Sequence, residues 1–127
     1  LSKKLGTPIE SIEPTNKMTK GYSQREIEIR IVKNFLDIMI LIELKKQSGL
    51  SGYDVIGFIN ETFGGMLSPG TVYSTLYSIE RKGLIKGVSE GRKTVYKLTD
   101  EGQEVMAQMR TDFNKAMTDF VRKFLMA

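Results

Sequence analysis

Residues Leu67 to Ile85 read LSPGTVYSTLYSIERKGLI. Ser68 followed by Pro69 is an N-cap residue ahead of a proline at the first helical position, and Gly83 is a stop, so the stretch predicts a helix. On a wheel of about 100° per residue, Val72, Leu76 and Ile79 fall together as a core stripe. Thr71, Ser74, Ser78 and Arg81 lie opposite, flanked by Gly70, Thr75, Tyr77 and Lys82. A merely solvated face ordinarily carries Lys and Glu. Short hydroxyls instead let a helix approach another surface closely and exchange hydrogen bonds with base edges and phosphates, as a helix lying in a major groove must. Chance enrichment of Ser and Thr is the competing reading, and the helix taken alone does not decide between the two.

The flanking segments shift the balance toward a groove-binding helix. Downstream, IKGVSEGRKTVYKLT (Ile85 to Thr99) alternates as two short strands about Glu90-Gly91, with Val88 on one side and Tyr96 and Leu98 on the other. This is the pattern of a β-hairpin, and its tip carries Arg92 and Lys93. Upstream, Ser23 to Gln47 is apolar nearly all round, with Lys33, Asn34 and Asp37 as a thin polar strip, which predicts one helix buried on most sides and ended by Gly49. Next, LSGYDVIGFINETFGG (Leu50 to Gly65) predicts a shorter helix, with Tyr53, Ile56 and Ile59 or Phe63 at helical spacing and Gly64-Gly65 as its break. Gly52 is either a site of close approach or positive φ, or an ordinary loop glycine. Three helices followed by a basic-tipped hairpin is the order of a winged helix-turn-helix. In that fold the third helix enters the major groove and the wing tip reaches phosphates or the neighbouring minor groove.

The charge distribution agrees. The chain has 127 residues and a net charge of +4. From Ser68 to Leu98 there are six basic residues (Arg81, Lys82, Lys86, Arg92, Lys93, Lys97) against Glu80 and Glu90, so this stretch carries the whole excess. Such clustering points to a polyanion partner, with a solvated basic face as the bland alternative. With no Cys and no His in the chain, disulfide scaffolds, Cys or His zinc sites and Cys or His catalysis are excluded. No phosphate-binding Gly loop, metal cluster or activated nucleophile can be assembled, so no enzyme, metal or cofactor is expected. The longest apolar run, Ile38 to Ile42, is far short of the roughly 20 residues of a membrane span, and LSKKLGTPIE lacks a signal-peptide core. A cytoplasmic protein is expected. The chain opens on Leu1, not Met, so the native N-terminus is expected to lie outside it. Residues 1–22, with two of the three prolines and few large apolar groups, read as an irregular arm held by the core or by a partner subunit.

The last element is predicted to start at Thr99, with Asp100 and Glu101 in its first turn complementing the helix dipole. That structural role also accounts for these carboxylates and Glu104 better than a metal or acid/base pair does. Beyond them Val105, Met109, Phe113, Ala116, Phe120 and Phe124 step by 4, 4, 3, 4 and 4, with Met106 and Met117 at the edge. The stripe predicts a straight or slightly right-handed helix of about 28 residues, or about 42 Å. A helix of that length carries more apolar surface than one small domain covers, so a second chain is the expected partner. Folding back over its own domain is the alternative. Met and Phe in such a stripe can also line an apolar ligand pocket, although plain core is the commoner use.

Taken together, GYD (Gly52 to Asp54), LSPGTVYSTLYSIERKGLI and GRKTVYKLTDEG (Gly91 to Gly102) resemble the PadR-like family of prokaryotic transcriptional regulators, over roughly Leu36 to Met106. The Ser-Pro-Gly-Thr-x-Tyr opening with the later Leu-Thr-x-x-Gly carries the specificity of the match. The resemblance implies a homodimeric winged-helix repressor on an inverted-repeat operator in double-stranded DNA. Some relatives release DNA on binding small aromatic or phenolic compounds, which makes a small apolar or aromatic effector a candidate ligand. This sequence departs from the pattern in a longer arm, a wing about one residue shorter and without its usual proline, and a single C-terminal helix, as in the short members.

The expected fold is therefore mainly α with a small β-hairpin: an arm (1–22), a winged helix-turn-helix domain (23–98) and a C-terminal dimerisation helix (99–127). The expected DNA-binding residues are Ser68, Gly70, Thr71, Ser74, Thr75, Tyr77, Ser78, Arg81, Lys82, Arg92 and Lys93. The expected dimer contacts are Val105, Met109, Phe113, Ala116, Met117, Phe120 and Phe124. A winged-helix module that binds protein, its basic stretch incidental, is the rival from another class.

Overall fold

The computed structural model describes residues 19–64 and 67–127. The expectations for the arm and for Gly65 therefore fall wholly or largely outside the described residues. Where one long helix was expected there are two, α1 (Gln24–Asn34) and α2 (Leu36–Lys46). The break is Phe35, whose φ of −115° and ψ of 22° leave the helical basin. It carries no Gly or Pro signal because its origin is tertiary. Phe35 lies at the joint with its ring edge-on to Phe113, centroids 5.3 Å apart. The all-round apolar pattern then has a simple cause. Buried on α2 are Leu36, Ile40, Leu41 and Leu44, whereas α1 buries Val32 and leaves Ile27 and Ile31 exposed. A capping box starts α1, in which the Ser23 hydroxyl accepts the Glu26 N–H and the Glu26 carboxylate takes the Ser23 N–H.

Two residues that the sequence reading assigned to no strand form β1 (Leu50–Ser51). It adds to the hairpin of β2 (Ile85–Glu90) and β3 (Lys93–Leu98), so the antiparallel order is β1-β3-β2. Leu50 pairs with Tyr96 and Ser51 with Val95, while Gly87 and Val88 pair with the same two residues from the other side. As the middle strand, β3 buries both Val95 and Tyr96, which breaks the simple alternation expected of a free hairpin. The hairpin turns through Gly91 and Arg92, and Gly91 has φ +65°, the first loop position where a tight hairpin favours glycine.

Between these elements run α3 (Gly52–Phe63), capped by Ser51 and closed by Gly64 in the left-handed region, and α4 (Pro69–Arg81). The start and stop of α4 are those expected: the Ser68 hydroxyl accepts the Thr71 N–H at 3.3 Å, and Gly83 takes φ +80°. The helix expected as the third in order is thus the fourth. Its inner residues Val72, Leu76 and Ile79 join Ile40, Val55, Ile59 and Ile85 in one core.

The last helix, α5 (Asp100–Phe120), is shorter than expected in its α-form and continues as a π-turn over Val121–Leu125. Its Thr99 cap accepts the Gly102 N–H and donates to the Gly83 carbonyl at 2.6 Å, tying the start of α5 to the stop of α4. Met106, expected at the edge of the stripe, is instead fully in the core, because α5 lays its first half along α2. The fold is mainly helical, with a small three-stranded antiparallel sheet and a long C-terminal helix.

Candidate nucleic-acid interface

With Val72, Leu76 and Ile79 turned inward, α4 presents Gly70, Ser74, Tyr77, Arg81 and Lys82 to solvent, along with its cap Ser68. Thr71, Thr75 and Ser78 are partly covered. Two of these hydroxyls are already engaged. The Thr75 hydroxyl donates to the Thr71 carbonyl at 2.9 Å, and the Thr71 hydroxyl lies 3.0 Å from that of Ser68, inside the cap. The Ser74 hydroxyl, at the middle of the outer face, is exposed. At the end of the hairpin, Arg92 and Lys93 are both exposed.

Helix and hairpin are held together from two sides. The Glu80 carboxylate accepts the Gly87 N–H at 3.0 Å, so a residue of α4 satisfies a free edge group of β2. At the other side Tyr73 lies against Gly52, where an added Cβ would collide with the ring. Of the two readings open for Gly52, close approach is the one realised, and the α3 backbone packs on α4 through it. Ser51 N–H donates to Asp54 at 2.9 Å, and this bond, aided by the Ser51 side chain, holds the Asp54 carboxyl below its ordinary value of 3.8. A depressed value in the folded state means that the cap contributes stability above pH 3.8 and loses it as pH falls through the lower folded value.

Between α3, α4 and β3 opens a cleft of about 470 Å3. Tyr53, Tyr73, Tyr77 and Tyr96 line it, four of the five tyrosines in the chain, together with Asp54, Arg92, Lys93 and Thr94. Sequence reasoning had Tyr77, Arg92 and Lys93 and missed the rest. GYD was quoted as a motif, but nothing local shows that residues 53, 73, 77 and 96 meet.

The expected dimer stripe divides in two. Met109 and Phe113 are partly buried against the helix's own domain, and Met117 is partly buried too. Val105, Ala116, Phe120 and Phe124 are exposed, the last two with rings stacked at 5.4 Å and followed by exposed Leu125 and Met126. A shallow, almost wholly apolar hollow runs beside the helix over Ile38, Val105, Met109, Phe113 and Ala116. Folding back over its own domain describes the first half of this helix, and the far half is exposed. Among the described residues no His, Cys, Asp or Glu group could hold a metal ion, and no helix is long and apolar enough to cross a membrane.

Comparison with known proteins agrees with this geometry. The model of the transcriptional regulator PadR-like family matches residues 40–108, more than half of the chain. Transcriptional activator GvpE1 of Halobacterium salinarum is 30% identical over 70 residues, which are 55% of this chain and 37% of that protein. Transcriptional activator GvpE of Haloferax mediterranei is 31% identical over 65 residues, 51% of this chain and 34% of that protein. The chain spans little more than a third of the length of these curated relatives. Among solved structures, a PadR family transcription regulator of Clostridium difficile is similar with a TM-score of 0.60 and 26% identity, covering 72% of this chain and 98% of that one. A PadR-like transcriptional regulator of Bacillus cereus, at 24% identity, has the same fold with a TM-score of 0.65 over 77% of this chain and 98% of that one.

Proposed function

The chain belongs to the PadR-like family of transcriptional regulators, a family of regulators and not of enzymes, and from that premise we propose that it acts as a homodimeric, sequence-specific DNA-binding repressor. One observation carries the reading: a helix whose outer face is Gly, Ser and Tyr with Arg81 and Lys82 at its end is fastened through Glu80 to a hairpin whose tip is Arg92 and Lys93. The two parts can then engage one duplex as a unit. In this reading α4 lies in the major groove with Gly70 and Ser74 nearest the base edges. Ser68, Thr71, Thr75, Tyr77, Ser78, Arg81 and Lys82 border it, and the wing tip takes the backbone or the minor groove. The body over 23–98 is the DNA-binding part, and 99–127 supplies dimerisation.

Repression follows if the dimer occupies an inverted-repeat operator and excludes other proteins from it. The relatives named activators define the opposite outcome: a reporter that rises on expression of this chain reverses the sign of regulation without touching the DNA reading. Selection of genomic fragments with the purified protein tests class and symmetry together, because recovery of an inverted repeat is expected. Binding to the selected duplex should weaken with salt by about 0.9 in log-log slope per phosphate neutralised. Affinity that ignores salt would favour a protein-binding module.

A division of labour follows. Replacing Arg92 and Lys93 with Ala should weaken binding to operator and random duplex in similar proportion, since phosphate contacts carry little base information. Replacing Ser74, and to a lesser degree the partly engaged Thr71, should instead change which base is preferred, by roughly 1–3 kcal/mol per lost base contact. Equal losses on both DNAs from both pairs of variants would remove α4 from the role of reader.

A further inference from the structure

The DNA-binding reading gives Tyr53 no task, although it lines one cleft with Tyr77 and Lys93. We propose that this cleft seats a backbone phosphate of the bound duplex, with the Tyr53 and Tyr77 hydroxyls as neutral donors and Lys93 as the accompanying charge. The inference rests on the proposed DNA binding and adds to it Tyr53, which lies in the first turn of α3, outside the helix and the wing tip.

Three observations support it. First, the two rings are placed against ordinary packing logic, since Tyr53 is 79% exposed and Tyr77 51% exposed. Neither hydroxyl has a hydrogen-bond partner among the described residues, whereas Tyr73 and the buried Tyr96 have structural work, one against Gly52 and the other in the sheet. Tyr73 and Tyr77 have ring centroids 6.4 Å apart, so the inner ring backs the outer one and limits where its hydroxyl can go. Second, the cleft lies between the two parts assigned to DNA, with Tyr77 on the outer face of α4 and Arg92, Lys93 and Thr94 on the hairpin. A duplex spanning helix and wing tip must carry its backbone past the opening. Third, tyrosine hydroxyls are among the side chains that ordinarily donate to phosphate oxygens. The one carboxylate in the lining, Asp54, is turned into its own cap, where it accepts the Ser51 N–H, and Lys93 shares the lining with it.

A hydroxyl donor differs from a lysine in one measurable way. It strengthens binding without neutralising a charge, so it leaves the salt slope alone. The test uses the full chain and a fluorescent duplex of random sequence, titrated over a salt series. Tyr53→Phe and Tyr77→Phe remove one oxygen each from exposed rings and leave the charge unchanged. Each should weaken binding by about fivefold with the salt slope of the wild type. By contrast, Lys93→Ala should lower the slope by about one. On the operator selected as above, phosphate-ethylation interference should show one sensitive phosphate per half-site lost in Tyr53→Phe. Wild-type affinity in both Phe variants, with Lys93→Ala still impaired, overturns the phosphate seat and leaves the DNA reading standing. Failure of the wild type to bind any duplex in a salt-dependent way overturns both.

Discussion

A glutamate at Phe120 should make the protein monomeric and abolish its DNA binding. Phe120 at the end of α5 and Phe124 in the π-turn stack on each other, beyond the reach of the helix's own domain, and Leu125 and Met126 extend the same exposed apolar end. Each large apolar side chain covered by a second chain contributes roughly 1.5–3 kcal/mol, so a cluster of this size would supply much of the free energy of the proposed dimer. A carboxylate placed in its middle must be desolvated without a partner, which removes several times RT from the association. Phe113→Glu is a poorer probe, since Phe113 packs edge-on to Phe35 in the same chain and its loss also loosens the α1–α2 joint. A two-fold dimer sets its two reading helices about 34 Å apart along the DNA, and a monomer forfeits half of those contacts. Sedimentation of Phe120→Glu at micromolar concentration should therefore show the monomer, with operator affinity down by at least about a hundredfold. A dimer with unchanged affinity would move the interface elsewhere, and the exposed Ile27 and Ile31 of α1 would be the next surface to test.

The parts of this fold that could be read from sequence are those with local causes. Ser68-Pro69 and Gly83 bound α4 because an N-cap hydroxyl, a fixed proline φ and a positive glycine φ act within a few residues of themselves. The hairpin was legible for the same reason, through Gly91 and the flanking strand residues. The break at Phe35 was not, because α1 and α2 face different neighbours and the apolar pattern simply sums the two faces. Nor was β1, which is two residues long and exists as a strand only because β3 offers it an edge. Met106 was misplaced at the margin of a stripe since a helical wheel shows which residues share a face but not where along the helix the domain stops covering it. The tyrosine cleft belongs to the same class. Its members come from α3, α4 and β3, and only the packing of Tyr73 on Gly52 and the Glu80 bond to Gly87 bring those elements to one place.

Leu76 and Tyr77 are neighbours on opposite faces of α4, and they should separate holding the helix from using it. Leu76 is completely buried between Val72 and Ile79 in the inner stripe. Truncation to Ala removes its transfer free energy and leaves a cavity, at a cost of about 2–5 kcal/mol, a large share of the roughly 5–15 kcal/mol by which domains of this size are stable. Chemical denaturation should show a midpoint shifted down by that amount at unchanged slope. Operator affinity should fall only to the extent that the folded fraction falls, and should recover on cooling to a temperature where the variant is folded. Tyr77→Phe should do the reverse, keeping the wild-type midpoint while weakening DNA binding at every temperature, because its hydroxyl faces the cleft and not the core. If Leu76→Ala weakened binding while fully folded, the helix would be deformable enough for core packing to tune its fit to the groove. The outer face could not then be read as a rigid template. If Tyr77→Phe lowered the midpoint as much as the core truncation, its hydroxyl would belong to the fold, and α4 would have only the hydroxyls and backbone around Gly70 and Ser74 with which to read DNA.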